Sequence, residues 1–248
     1  MGCMCAKSEP LSSASNGGLG IQNKVYDGPK PVLYYLSASP PCRSVLVTAR
    51  QIGLDLDIRT VNILAGEHLA EDFVKLNPEH TIPTLDDGGF VLWESRAICT
   101  YLVTKYAARD DLYPKDEKKR AMVDRRLYFD ATTLYGAIIS LTKPIIMRVE
   151  TQATEAKKKP VLDALQQLEK YLADSAWVAG DSLTVADTVI VASVASAQAI
   201  GVDLAQYPNI AGWFERCKTQ LRGFQENAEG AAMYGQFVQS LLGAPAFP

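Results

Sequence analysis

Pro31 Val32 Leu33 Tyr34 Tyr35 Leu36 Ser37 Ala38 Ser39 Pro40 Pro41 Cys42 Arg43 Ser44 Val45 Leu46 Val47 Thr48 Ala49 Arg50 Gln51 Ile52 is the stretch that decides the fold. Val32 to Leu36 is a short apolar and aromatic run, Pro40 and Pro41 break it, and Val45, Leu46, Ala49 and Ile52 then recur at helical spacing. That is a strand, a turn and a helix. Leu56, Ile58 and Val61 mark a second strand, and a crossover of this length between neighbouring strands implies a parallel βαβ unit. A further helix is expected over about Leu69 to Leu76. Two short strands, Thr84 to Leu85 and Phe90 to Trp93, flank Asp86 Asp87 Gly88 Gly89, which favours a tight antiparallel hairpin. A helix from Ser95 to Tyr106 closes the unit. The order gives a small mixed sheet covered by helices, a thioredoxin-like domain over residues 30–108.

Past Pro114 the strand signal disappears. Leu127, Ala131, Leu134, Ile138 and Leu141 form the buried stripe of one long helix that Pro144 stops. Thr184 and Asp187 make a capping box ahead of a nearly all-apolar segment to Ile200, and a helix apolar on every side must be central. Gly180, Asp181 and Gly201 punctuate its ends. Residues 114–248 are therefore expected to be all-helical, and the fold class is α/β plus all-α. Residues 1–29, rich in Ser, Gly, Asn and Pro, read as a flexible extension. Its start, Met1 Gly2 Cys3 Met4 Cys5 Ala6 Lys7, partly resembles an acylation signal, with Ala6 where Ser or Thr is usual. Membrane association is expected only if Gly2, Cys3 or Cys5 is acylated.

Composition narrows the function. A net charge of -3 argues against a nucleic-acid partner, which would call for clustered Lys and Arg. Five cysteines (Cys3, Cys5, Cys42, Cys99, Cys217) at irregular spacing, with no apolar leader before them, point to a reducing cytoplasm and not to a disulfide framework. Cys42, Cys99 and Cys217 read as small buried hydrophobes. Two histidines, His68 and His80, with no paired cysteines beside them leave a zinc site without ligands, so no metal is expected. At the first strand-to-helix turn a thioredoxin-type redox enzyme carries two cysteines, whereas this chain has Ser39 Pro40 Pro41 Cys42. The attacking thiol is missing. A hydroxyl there cannot exchange disulfides, but it can donate a hydrogen bond to a ligand's sulfur and favour the thiolate. The helix's positive end adds to this.

Six motifs carry a resemblance to a family: Ser39 Pro40 Pro41 Cys42 Arg43; Ala65 Gly66 Glu67 His68 Leu69; Asn77 Pro78 Glu79 His80 Thr81 Ile82 Pro83 Thr84 Leu85; Trp93 Glu94 Ser95 Arg96 Ala97 Ile98; Arg126 Leu127 Tyr128 Phe129 Asp130; and Ala179 Gly180 Asp181 Ser182 Leu183 Thr184 Val185 Ala186 Asp187. In this order, over about residues 31–240, the chain resembles the cytosolic glutathione transferases, in particular the insect delta and epsilon classes and most of all delta. The resemblance implies glutathione as co-substrate and places the family's catalytic serine on Ser39. Taken alone, a serine in such a loop reads better as an N-cap or turn residue, and the five other motifs reverse that reading. Ser37 lies at the wrong spacing to Pro41 and Arg43, and Tyr34 and Tyr35 read as strand packing.

The same resemblance implies that Ile82, before a cis Pro83, pairs its main chain with the cysteinyl unit. Ser95 would hold the γ-glutamyl carboxylate while Glu94 accepts from its amino group and Arg96 helps at that end. His68 and His80 fall on positions that meet the glycine carboxylate. Asp130 reads as a solvated acid on a long helix, with a contribution from the helical domain allowed. A hydrophobic electrophile is expected between the domains, beside Leu36, Pro41, Tyr135, Ile138, Ile139, Ile146 and Met147. The implied reaction is thiolate attack on such electrophiles in detoxification, with peroxidase and dehydrochlorinase side activities, in a cytoplasmic homodimer. The alternative is a non-catalytic carrier of apolar ligands.

Overall fold

The computed structural model describes residues 28–247. The extension up to residue 27, with Gly2, Cys3 and Cys5, lies outside the described residues. Strands β1 (Val32–Tyr35), β2 (Asp57–Thr60), β3 (Thr84–Asp87) and β4 (Phe90–Trp93) form one sheet in the order β2-β1-β3-β4. β1 and β2 run parallel through helix α1 (Pro40–Gln51), while β3 is antiparallel to both β1 and β4. Leu33 stands opposite Ile58 on one side and Leu85 on the other, so the βαβ unit and hairpin share one register. The hairpin turns on Gly88 and Gly89 at φ 64° and 94°. Two adjacent left-handed residues are what a two-residue primed turn requires. Asp87 accepts from Tyr101 Oη (2.6 Å), Lys105 Nζ (2.6 Å) and Tyr106 Oη (2.7 Å), tying the hairpin to helix α3 (Ser95–Tyr106). The helix expected over 69–76 is shorter than its apolar pattern: two single 3₁₀ turns, Ile63–Ala65 and Glu67–Leu69, precede α2 (Glu71–Leu76).

The second half holds α4 (Glu117–Phe129), α5 (Tyr135–Ile146), α6 (Glu155–Tyr171), α7 (Val185–Ala199), α8 (Pro208–Gln220) and α9 (Phe224–Leu242). α7 is buried from Val185 to Ala197, the central helix that its composition requires. Its start is set by Asp187, whose carboxylate accepts from the Thr184 N–H (2.8 Å), the Val178 N–H (2.9 Å) and Trp213 Nε1 (3.0 Å). Two expectations about the long helix are corrected. It is interrupted by a π-helical turn, Asp130–Leu134, and Pro144 lies inside α5 two residues before its end. A proline so close to a C-terminus removes one helical hydrogen bond with little helix left to disrupt. Leu127, Leu134, Ile138 and Leu141 keep their buried stripe across the interruption. α1 packs against α7, α3 and α9, so the first helix of the sheet domain is embedded in the helical one.

Candidate active site

Ser39 occupies the N-cap of α1, and its side chain makes no capping hydrogen bond. The next two residues are prolines, so the helix begins without the N–H groups it would otherwise offer at N1 and N2. The groups left at this mouth for an anion are the Ser39 hydroxyl and the dipole of α1, without its usual nest of donors. The Ser39 N–H donates to Leu36 O (2.9 Å), closing the turn. Behind it, burial pushes the Cys42 thiol up to about 11 against the Ser39 hydrogen bond, so Cys42 stays a neutral packing residue. Tyr35 is buried in the core and Tyr34 lies edge-on to Phe73 at 5.5 Å, which fits strand packing for both.

The start of α3 differs. Ile98 N–H to Glu94 O (2.9 Å) is its first helical bond, which leaves the N–H groups of Ser95, Arg96 and Ala97 without helical acceptors. Glu94 is exposed and held at φ 70°, a left-handed conformation rare outside glycine, where β4 hands over to the helix. Ser95 is buried, and its Oγ accepts from Arg96 Nη1 (2.9 Å). Arg96 Nε donates to Asp130 Oδ2 (3.1 Å), Nη2 pairs with the same oxygen, and the guanidinium covers the Tyr135 ring at 5.0 Å. Burial works against the Arg96 charge, but Asp130 prevails and the guanidinium pKa is raised. Asp130 therefore corrects the reading of a solvated acid: it is fully buried at the start of the π turn, it meets Arg96 of the sheet domain, and its Oδ1 has no partner. Arg96 is committed to Asp130 and Ser95.

The Ile82–Pro83 peptide is cis. Its loop is organised by fully buried Asn77, whose Nδ2 donates to Thr81 O (3.1 Å), Thr81 Oγ1 (3.1 Å) and Thr84 Oγ1 (2.9 Å), and whose Oδ1 accepts from the Glu79 N–H (3.0 Å). His80, on the same loop at φ 45°, brings its ring within 6.0 Å of His68, which the 3₁₀ turns present from the other side. His68 Nδ1 is buried and without a hydrogen-bond partner. Two imidazoles facing each other with an unspent ring nitrogen suit a carboxylate. Among the described residues no group of three or more His, Cys, Asp or Glu is placed to hold a metal.

Of the residues expected to line the apolar cleft, Leu36, Pro41, Tyr135, Ile139 and Ile146 are half-buried. Ile138 has no exposed surface and belongs to the core, which removes it from direct contact with a ligand. Met147 is 61% exposed just past the end of α5. Burial raises the Tyr135 hydroxyl pKa, so that group remains a proton donor over the neutral range.

The family model for the glutathione S-transferase N-terminal domain matches residues 33–110, and that for the C-terminal domain matches residues 109–220. The chain belongs to the glutathione S-transferase family. Glutathione S-transferase D7 of Anopheles gambiae is 45% identical over 215 residues, covering 86% of this chain and 98% of that protein. Among solved structures, a delta-class glutathione transferase of Nilaparvata lugens is 46% identical with a TM-score of 0.82, covering 85% of this chain and 99% of that one. An epsilon-class glutathione S-transferase of the housefly, Musca domestica, is 38% identical with a TM-score of 0.82, covering 86% and 98%. The transferase is thus an enzyme of the insect delta/epsilon type with glutathione as its co-substrate, and the non-catalytic carrier reading is not favoured.

Sequence reasoning had placed Asn77 and Arg43 in motifs without giving them a role. Asn77 builds the loop that carries His80 and Ile82. Arg43 is fully buried beneath the Ser39 turn, where burial lowers its pKa to about 10 and leaves it charged at neutral pH. A single arginine in the otherwise uncharged run Pro40 to Ala49 was the available signal.

Proposed function

We propose that Ser39 donates its hydroxyl hydrogen bond to the cysteinyl sulfur of bound glutathione, holds it as the thiolate, and presents it to a hydrophobic electrophile in the cleft beside Pro41, Leu36, Tyr135, Ile139 and Ile146. The observation that carries this reading is a serine at the mouth of a helix whose first two N–H groups are missing, with its hydroxyl unspent as a cap. Each unit by which the thiol falls below its reference of about 8.5 is worth about 1.4 kcal/mol. The sulfur–carbon bond forms as the leaving group departs with its electron pair, and the thiol proton goes to water. Positioning supplies much of the remaining acceleration.

The two ends of the tripeptide fix the sulfur. The N–H groups at the start of α3 and the Ser95 hydroxyl hold the γ-glutamyl carboxylate, Glu94 accepts from the amino group, Ile82 next to Pro83 pairs through its main chain, and His68 and His80 meet the glycyl carboxylate. Arg96 acts through Ser95. Exposed Phe90 on β4 and Met122 and Tyr128 on α4 support a homodimer burying this apolar surface. No helix among the described residues is long and apolar enough to cross a membrane. The role proposed is the clearing of electrophiles in the cytoplasm.

The test is the ultraviolet absorbance of bound glutathione followed against pH. In the wild type the thiolate band is expected well below the free thiol's pKa, and in Ser39→Ala it should move back toward about 8.5. Superimposable titrations would remove Ser39 from the role.

A further inference from the structure

α9 carries two glycines in its interior, Gly230 and Gly235, where alanine is ordinarily the better helix former. A Cβ on Gly230 would lie 2.4 Å from the Ser37 carbonyl oxygen and 2.6 Å from Arg43 Cδ, and one on Gly235 would lie 2.3 Å from the Ala199 carbonyl oxygen. The helix therefore rests its backbone on the catalytic loop at one point and on α7 at the other. Arg43 joins the three elements. Its Nη1 donates to the carbonyls of Ser37 (3.1 Å) and Ala38 (2.9 Å), its Nε to Asn227 Oδ1 of α9 (3.0 Å), and its Nη2 to Ala192 O (3.3 Å) and the Ser196 hydroxyl of α7. The carbonyls of the two residues just before Ser39 are thus both gripped by one buried side chain that the last helix of the other domain orients.

We propose that Gly230, Arg43 and Asn227 are positioning residues: α9, acting through the Ser37–Ala38 carbonyls, sets where the Ser39 hydroxyl sits and so how strongly it holds the thiolate. The inference rests on the reading of Ser39 given above. A methyl at 230 must open the gap to Ser37 by roughly 1 Å to reach ordinary van der Waals separation. A hydrogen bond weakens steeply over such a change in length and angle. The alternative, in which α9 yields and the loop stays, leaves the thiolate untouched, so the two are distinguishable.

The experiment titrates bound glutathione by ultraviolet absorbance and measures kcat and KM in wild type, Gly230→Ala, Gly235→Ala and Asn227→Ala. Gly230→Ala is expected to raise the bound thiol by about one unit, giving roughly tenfold lower kcat at a pH below both values, with KM for glutathione changed less than about twofold. Gly235→Ala imposes a comparable clash away from the loop and should leave that pKa where it is in the wild type. Asn227→Ala loses the Nε acceptor without adding a clash, should shift the pKa the same way by less, and decides the matter if Gly230→Ala does not fold. A folded Gly230→Ala or Asn227→Ala with the wild-type pKa overturns the proposal, as does Gly235→Ala shifting as far as Gly230→Ala. A wild-type bound thiol with no depression overturns the role of Ser39 and this inference with it, whereas the first two failures leave Ser39 standing.

Discussion

Two helices begin at this site, and they begin in opposite ways. α1 opens on Pro40 and Pro41 and offers a hydroxyl in place of backbone donors, while α3 opens on Ser95, Arg96 and Ala97 with three N–H groups unspent. The difference matches the two anions each is proposed to meet. A carboxylate is permanently charged and gains most from an array of fixed donors. A thiol must still ionise, and one well-placed hydroxyl lowers its pKa without building a pocket that oxygen anions would fill first. On this proposal one helix end is a handle for the ligand, and the other is where its chemistry is adjusted.

The sharpest test of the handle is Asp130→Ala. It leaves the Arg96 guanidinium buried without its counter-charge, for which a cost of about 3–5 kcal/mol in unfolding free energy is expected. Denaturant titration measures that. If the fold survives, KM for glutathione should rise while kcat at saturation holds, because the change lies on the α3 side alone; a fall in kcat with KM unmoved would erase the division of labour. Ser39→Ala comes next. On the order of a hundredfold loss of kcat is expected with little change in KM, the converse pattern, read from steady-state kinetics. The sign with pH follows: the thiolate is present above the bound pKa and lost as pH falls through it, so the acid limb of the rate profile should move to higher pH in this variant. The smallest effect is expected from Pro41→Ala in the Ser39→Ala background. It returns an N–H at N2 of α1 and should bring the bound thiol down again by a few tenths of a unit. No change would mean that the prolines do not matter electrostatically.

The sheet domain was legible because its signals are local. The apolar run at Val32, the two prolines and the Gly88–Gly89 turn each specify a backbone conformation within a few residues, and together they place Ser39 at a helix mouth. Thr184 and Asp187 marked the central helix for the same reason. Asp130 was misjudged because it was read by its charge: three residues after Leu127 and four before Leu134, it lies on the buried stripe, where a carboxylate needs a partner such as Arg96. Ile138 was assigned to the cleft from family position alone, and the packing of the helical core claims it. Arg43 and Gly230 lay beyond sequence reasoning because their meaning is a close approach between residues nearly two hundred positions apart. An interior glycine in a helix hints that something comes near, without saying what.

The π turn at Asp130–Leu134 has a consequence for how this enzyme could change over evolutionary time. Loss of one residue there would restore an ordinary α-helical repeat and leave everything downstream on the face it now holds, because a π turn is one extra residue taken up as a local widening. Tyr135 and Ile139 would keep their facing beside the proposed cleft, and the glutathione-binding half of the protein, encoded elsewhere in the chain, would stay as it is. One short segment thus lets the lineage shorten this helix by a codon without rebuilding either the electrophile side or the chemistry.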